Sequence, residues 1–175
     1  MNEWWRELRE DLRANRGNRK GRFIVASYRT ARHARGPGAR PRAWSIPLVA
    51  AHRLVVEWVL GVELPSTVDA GPGLRVYHGH GLVVHDHARL GRDVVLRHST
   101  TIGILVDDQG RDSLAPTIGD RVSIGPGVIV LGPLCVGDDA VIGAGSVVLD
   151  DIPARAVVAG NPARMLRMRD EAASA

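Results

Sequence analysis

The sequence predicts a mainly β protein: a parallel β-helix built from six-residue repeats, preceded by an α-helical segment. Three observations carry this. Ile118, Ile124, Val130, Val136, Ile142 and Val148 recur every six residues, and four of the six are followed by Gly. Four places after each stands a smaller or aliphatic residue, namely Val122, Val128, Leu134, Ala140, Ser146 and Ile152. The chain also changes period near residue 61, from helical spacing to this hexad. A helix of 3.6 residues per turn cannot keep hexad positions on one face, and an ordinary strand alternates by two. Six residues per side and three sides per coil give a solenoid whose aliphatic residues stack inside, roughly 4.8 Å apart.

The elements follow in order. Residues 1–60 form the helical segment. Trp4, Trp5, Leu8 and Leu12 fall at helix spacing up to "NRGNRKG", and Phe23, Ile24, Ser27, Tyr28 and Ala31 make a second stripe. "RGPGARPR" breaks the chain, and Ile46 to Leu60 supplies a third helix with Pro47 near its start. Residues 61–160 form the β-helix. The hexad phase runs upstream through Ile102, Leu96, Leu90 and Val84, then through Val76, Ala70 and Leu64, so thirteen hexads make about four coils. A looped-out segment at about 103–117 delays the next interior residue from Ile102 to Ile118. A slip of two residues falls between Val76 and Val84, inside "VYHGHGLVVHDHARLG". Functional residues are expected where a regular scaffold is broken. Residues 161–175 are a C-terminal tail.

Composition narrows the class. Residues 1–60 carry thirteen Arg or Lys against five acids, and the remainder ten against fourteen. The basic arginines are spread over helices without an aromatic RNA-binding signature, which favours a solvated or subunit-contacting face over nucleic acid. Peripheral contact with an acidic membrane surface stays open. The single cysteine, Cys135, allows no intrachain disulfide. No apolar run approaches the roughly 20 residues of a membrane span, and the N-terminus lacks the apolar stretch of a signal peptide. A cytoplasmic protein is expected.

Four of the seven histidines, His78, His80, His85 and His87, lie in the interrupted stretch. His78 stands two places after the interior Val76 and points outward. His98, two places after Leu96, is expected one strand spacing away at the same corner, either as an acceptor or carbonyl contact or as a satisfied corner residue. His80 falls at the inward place of its hexad and reads as packed or bend-forming. His85 and His87 follow Val84 around the next corner.

The repeat, with "IGAGSVVLDDIP" followed by "AGNPAR", resembles the hexapeptide-repeat acyltransferases and, within them, the serine acetyltransferase-like group. "DLRAN", "VYHGHGLVV" and "LRHSTTIG" most resemble the colanic-acid-type O-acetyltransferases of exopolysaccharide assembly. The resemblance covers about residues 10–168. It implies a left-handed coil, against the usual right-handed rule, a homotrimer, and acetyl-CoA as co-substrate in the groove between neighbouring β-helices. It implies His78 as general base, oriented by the acid fifteen positions earlier, here Glu63 where the family more often has Asp. The groove residues for CoA map onto Gly103, Pro126 and Ala144, with Arg164 near the phosphates, and Pro126 replaces the family's usual Ala. Tyr77, His98 and His85 are the candidate acceptor-lining residues, and Gly103 is a candidate oxyanion donor.

Two departures bear on the acceptor. Tyr77 stands where serine acetyltransferases have an Asp, and Leu114 and Ala115 stand where they have an Arg-His pair. Serine presents two charges, and each needs a partner when buried. The expected reaction is therefore acetyl transfer from acetyl-CoA to a hydroxyl of a small polar acceptor, a sugar or exopolysaccharide precursor. A neutral imidazole, with an unperturbed pKa near about 6.5, suits removal of the hydroxyl proton. The alternatives are a serine O-acetyltransferase, a zinc-dependent protein like the gamma-type carbonic anhydrases, and a non-enzymatic trimeric scaffold. No metal is expected, because zinc needs converging imidazoles and these histidines diverge.

Overall fold

Three vertical files of aliphatic side chains form the axis of the protein in the computed structural model, which describes residues 3–36 and 42–170. One file is Leu64, Val84, Ile102, Val130 and Val148, the second Ala70, Leu90, Ile118, Val136 and Ile152, and the third Val76, Leu96, Ile124, Ile142 and Val158. All are buried, none more than 6% exposed. Each file belongs to one parallel sheet. The first sheet holds β1 (Val62–Glu63), β4 (Leu82–Val84), β7 (Thr101–Gly103), β10 (Ile129–Leu131) and β13 (Val147–Val148), in that order. The second holds β2 (Asp69–Ala70), β5 (Arg89–Leu90), β8 (Thr117–Ile118) and β11 (Cys135–Val136). The third holds β3 (Arg75–Tyr77), β6 (Val95–Arg97), β9 (Ser123–Ile124), β12 (Val141–Ile142) and β14 (Ala156–Gly160).

The solenoid has five layers, one more than the hexad count predicts. Ile152 follows Val148 by four residues, not six, yet it takes an axial place, bridging in parallel to Val136. The shortened side is held by the Cys135 amide donating to the Asp151 carboxylate at 2.7 Å. Val158 then resumes the phase opposite Ile142. Beyond it, β15 (Ala163–Met168) folds back antiparallel on β14, so six residues of the segment expected as a tail close this end of the third sheet. The looped-out segment leaves after β7 as a small hairpin with an antiparallel bridge between Val106 and Asp112. Its turn is tied by Asp107, whose carboxyl the Arg111 amide and guanidinium hold below the ordinary carboxylate range.

The helices close the other end. They are α1 (Glu3–Ala14), α2 (Arg19–Arg35) and α3 (Ile46–His52), which continues as π-helical turns over Arg53–Val59. The break expected at "RGPGARPR" lies mostly outside the described residues. In the helical stripes, Leu8, Ile24, Tyr28 and Ala31 are buried, whereas Trp5 and Phe23 face outward. No helix among the described residues is long and apolar enough to cross a membrane.

The first coil has no coil beneath it, so its backbone groups need other partners. Polar side chains of the helices supply them. Asp11 accepts from the amides of Gly73 and Leu74 at 2.7 and 3.0 Å. Asn15 donates to the Leu74 carbonyl and accepts from the Val76 amide, and Asn18 donates to the Val76 carbonyl. Arg29 donates to the carbonyls of Ala70 and Gly71 and pairs with Asp11 at 2.7 Å. Tyr28 donates to Val68, and His52 donates through Nε2 to Leu64 while its Nδ1 accepts from Ser27.

Candidate active site

The corner between the third and first sheets carries the two-residue slip, and the structure places it at residues 78–80. Up to Tyr77, paired with Arg97, the first and second coils are in register. They match again at Gly81, where an added Cβ would lie 3.4 Å from the Ser99 hydroxyl. His78, Gly79 and His80 thus oppose the single residue His98. The bulge turns on three left-handed residues, His78, Gly79 and Gly81, with φ of 65°, 66° and 69°.

Gly79 takes the inward place that the hexad count assigns to His80. It is buried, and a Cβ there would meet Ile24, Val62 and Val76 side chains, each at 3.2 Å. His80 is exposed instead, its ring over Gly61, and Leu82 fills the core behind it. The sequence signal was the alternation His-Gly-His-Gly, since only glycine fits a left-handed corner with so little room. Gly79→Ala is therefore expected to destabilise the protein by about 1–3 kcal/mol. Urea unfolding checks this; a loss within measurement error would contradict the packing described.

His78 and His98 lie on adjacent coils with ring centroids 5.9 Å apart and planes at 78°. Both are exposed. Tyr77 lies on the adjoining flat side, with the Arg97 guanidinium 5.7 Å over its ring. Arg97 is held in turn by the Ile124 carbonyl at 3.0 Å. Glu63 is exposed on β1 opposite Val83. Among the described residues, no hydrogen bond or ion pair joins it to His78. His85 stands at the far edge of the first sheet, so β4 separates it from His78. Its Nδ1 accepts from the His87 amide at 3.3 Å, and the pairing of Val84 with Ile102 sets it alongside Gly103.

The same corner continues upward. The His98 carbonyl accepts from Gly127, and the Pro126 carbonyl from Gly145, so His98, Pro126 and Ala144 stack in one line. Arg164 is exposed on β15, opposite Ala159, with a guanidinium nitrogen 3.9 Å from Asp150. Gly103 lies across the first sheet beside Leu131, its carbonyl accepting from Gly132. Of the residues carried over for base, acceptor and CoA, His78, His98, Pro126 and Ala144 lie on one edge of the first sheet and His85 and Gly103 on the other, while Tyr77 and Arg164 belong to the third sheet. Among the described residues, no three His, Cys, Asp or Glu side chains converge as a metal site requires.

A five-layer β-helix with a histidine-bearing corner and a looped-out hairpin defines a hexapeptide-repeat transferase, and residues 115–150 match the bacterial transferase hexapeptide family (six repeats). The chain is 35% identical over 160 residues to WcaB of Escherichia coli, named as a colanic acid biosynthesis acetyltransferase, covering 96% of that protein and 89% of this chain. It is 37% identical over 112 residues to a serine acetyltransferase of Helicobacter pylori, covering 64% of each. Among solved structures, soybean serine acetyltransferase superposes with a TM-score of 0.78 at 32% identity, covering 93% of this chain and 69% of that one. Serine acetyltransferase of Brucella abortus in complex with coenzyme A gives 0.79 at 28% identity, over 96% and 69%. The chain belongs to the hexapeptide-repeat acyltransferases, within the serine acetyltransferase-like group, and has their left-handed β-helix fold.

Proposed function

We propose that the protein is an acetyl-CoA-dependent O-acetyltransferase acting on a hydroxyl of a small polar acceptor, a sugar or exopolysaccharide precursor. The observation that carries this is the exposed pair His78 and His98, set 5.9 Å apart at a distorted corner of a transferase fold. His78 takes the acceptor's hydroxyl proton as the oxygen attacks the thioester carbonyl. The tetrahedral intermediate then collapses, the C–S bond breaks, and the CoA thiolate leaves and accepts a proton. Glu63 holds the imidazolium by charge. In a homotrimer the His78 edge of one protomer faces the His85 edge of its neighbour, so that His98 and Tyr77 from one and His85 from the other line the acceptor side, and Pro126, Ala144 and Arg164 from one and Gly103 from the other line the CoA side.

A neutral acceptor follows from what stands in place of charge. Tyr77 sits under Arg97, and Leu114 is 79% exposed on the looped-out hairpin with Ala115 after it. Neither Leu114 nor Ala115 can pair with a carboxylate, and Tyr77 carries no charge for an ammonium group. A serine acceptor is the second reading, favoured by the 32% identity with the soybean enzyme across nearly the whole chain. Thiol release from acetyl-CoA with nucleotide sugars, lipid-linked sugars and serine separates the readings. Turnover with a sugar supports the first, turnover with serine alone replaces it, and no release with any acceptor leaves a trimeric scaffold. Stoichiometric, tightly held zinc in the purified protein would replace it with the carbonic anhydrase-like reading.

Glu63→Gln is expected to lower turnover by about tenfold, less than removal of the base, because it alters the stabilising charge and leaves the imidazole in place. The ratio of the two variants' kcat values checks this. A Glu63→Gln loss equal to that of the His78 variants would make the carboxylate part of the proton transfer itself.

A further inference from the structure

The helical end of the molecule has a charge arrangement that the transferase reading does not use. Between Asp11 and Glu57 the chain has no acidic residue, while eleven of residues 13–56 are Arg or Lys. The acids of α1 are committed elsewhere. Glu3 pairs with Arg6, Glu7 and Asp11 with Arg29, and Glu10 with Arg92. On another part of the α1–α2 hairpin, Arg9, Leu12, Arg13, Arg16 and Arg22 line one shallow concavity of about 330 Å³. No carboxylate lines it.

The side chains of Arg13, Arg16 and Arg22 are exposed and make no hydrogen bond or ion pair among the described residues. Arg19 and Lys20 stand in the first turn of α2, which has no acidic residue. Cations at a helix N-terminus oppose its partial positive charge, at a cost of about 0.3–1 kcal/mol each. Several like charges gathered at the positive end of a 17-residue helix therefore repel one another, and an anion relieves both effects.

We propose that this concavity is a phosphate-binding site. Guanidinium forks match phosphate oxygens in paired hydrogen bonds, which a lysine-lined surface would not reproduce. The volume lies at the low end for small-molecule pockets and is ample for a phosphate or pyrophosphate group. Such a group occurs on an anionic lipid headgroup or on a soluble phosphorylated compound. The hairpin sits against β3, with Asn18 on Val76 and Ile24 beside Gly79, at the same end of the solenoid as His78.

The test uses the intact protein in two arms at low and physiological salt. One is calorimetric titration with inorganic pyrophosphate. The other is co-sedimentation with vesicles of mixed phosphatidylglycerol and phosphatidylcholine, against phosphatidylcholine alone. Binding in the first arm assigns a soluble phosphate and binding in the second a lipid headgroup. In either case R13E/R16E should lose at least about tenfold in affinity, while R164E leaves binding unchanged. Arg22→Gln should also weaken binding and serves if the double variant fails to fold. Absence of binding in both arms, or binding that survives the charge reversal or is lost in R164E, overturns the proposal. A failed transferase assay would leave this result standing, since neither arm reads acetyl transfer.

Discussion

Replacing His78 by alanine is expected to lower the turnover number for acetyl transfer by about a hundredfold or more, with the fold retained. The ring is exposed and meets only the exposed His98 ring, so its loss removes the proposed proton acceptor and little of the packing. The backbone at this position has φ of 65°, where alanine is mildly strained. His78→Asn is the better-controlled variant, since asparagine tolerates the left-handed region and cannot serve as the base. Both should show unchanged circular dichroism and collapsed kcat. Near-normal turnover in either folded variant would remove His78 from the chemistry and leave His98, on the neighbouring coil, as the group to test.

The largest expected loss of stability comes from Arg29→Met, about 3–5 kcal/mol by urea unfolding. The Arg29 and Asp11 side chains are 1% and 0% exposed, and the guanidinium also satisfies the carbonyls of Ala70 and Gly71. Methionine fills space without donating, so it strands a buried carboxylate and two carbonyls together. Burial already raises the pKa of Asp11 above its ordinary 3.8, and Arg29 is the strongest influence opposing that rise. Without Arg29 the folded variant binds a proton that the unfolded chain releases above about pH 4. The variant's stability should therefore fall as pH rises from that value, making the deficit largest at neutral pH. A loss under about 1 kcal/mol at neutral pH would mean that the helices do not depend on this pair.

The axial files were legible because an aliphatic residue every six places leaves a trace that neither helix nor ordinary strand produces. The fifth coil was not, because Ile152 arrives two residues early and resembles the small partner of Val148. The nearness of His78 and His98 followed from counting three sides per coil. His80 was misassigned because the residue that fills the inward place, Gly79, has no side chain to betray its burial. The relation of Glu63 to His78 depends on how a carboxylate leaves an exposed strand, which spacing does not encode. The role of "DLRAN" was equally hidden. Asp11 and Asn15 look like ordinary polar positions on an amphipathic helix, since their partners in the first coil are backbone groups and carry no residue-type signal.

That capping arrangement also orders events during synthesis. Asp11, Asn15 and Asn18 bond to groups 58 to 63 residues further along the chain. On a ribosome that releases the N-terminus first, α1 and α2 emerge well before the first coil they dock against, and the pair of Asp11 with Arg29 must wait for the coil's backbone groups. The helices and the first coil therefore mature as one unit once residue 76 has emerged. Each later coil can then add to an edge that already exists, so the protein is wound onto its own starting spool in the direction of translation.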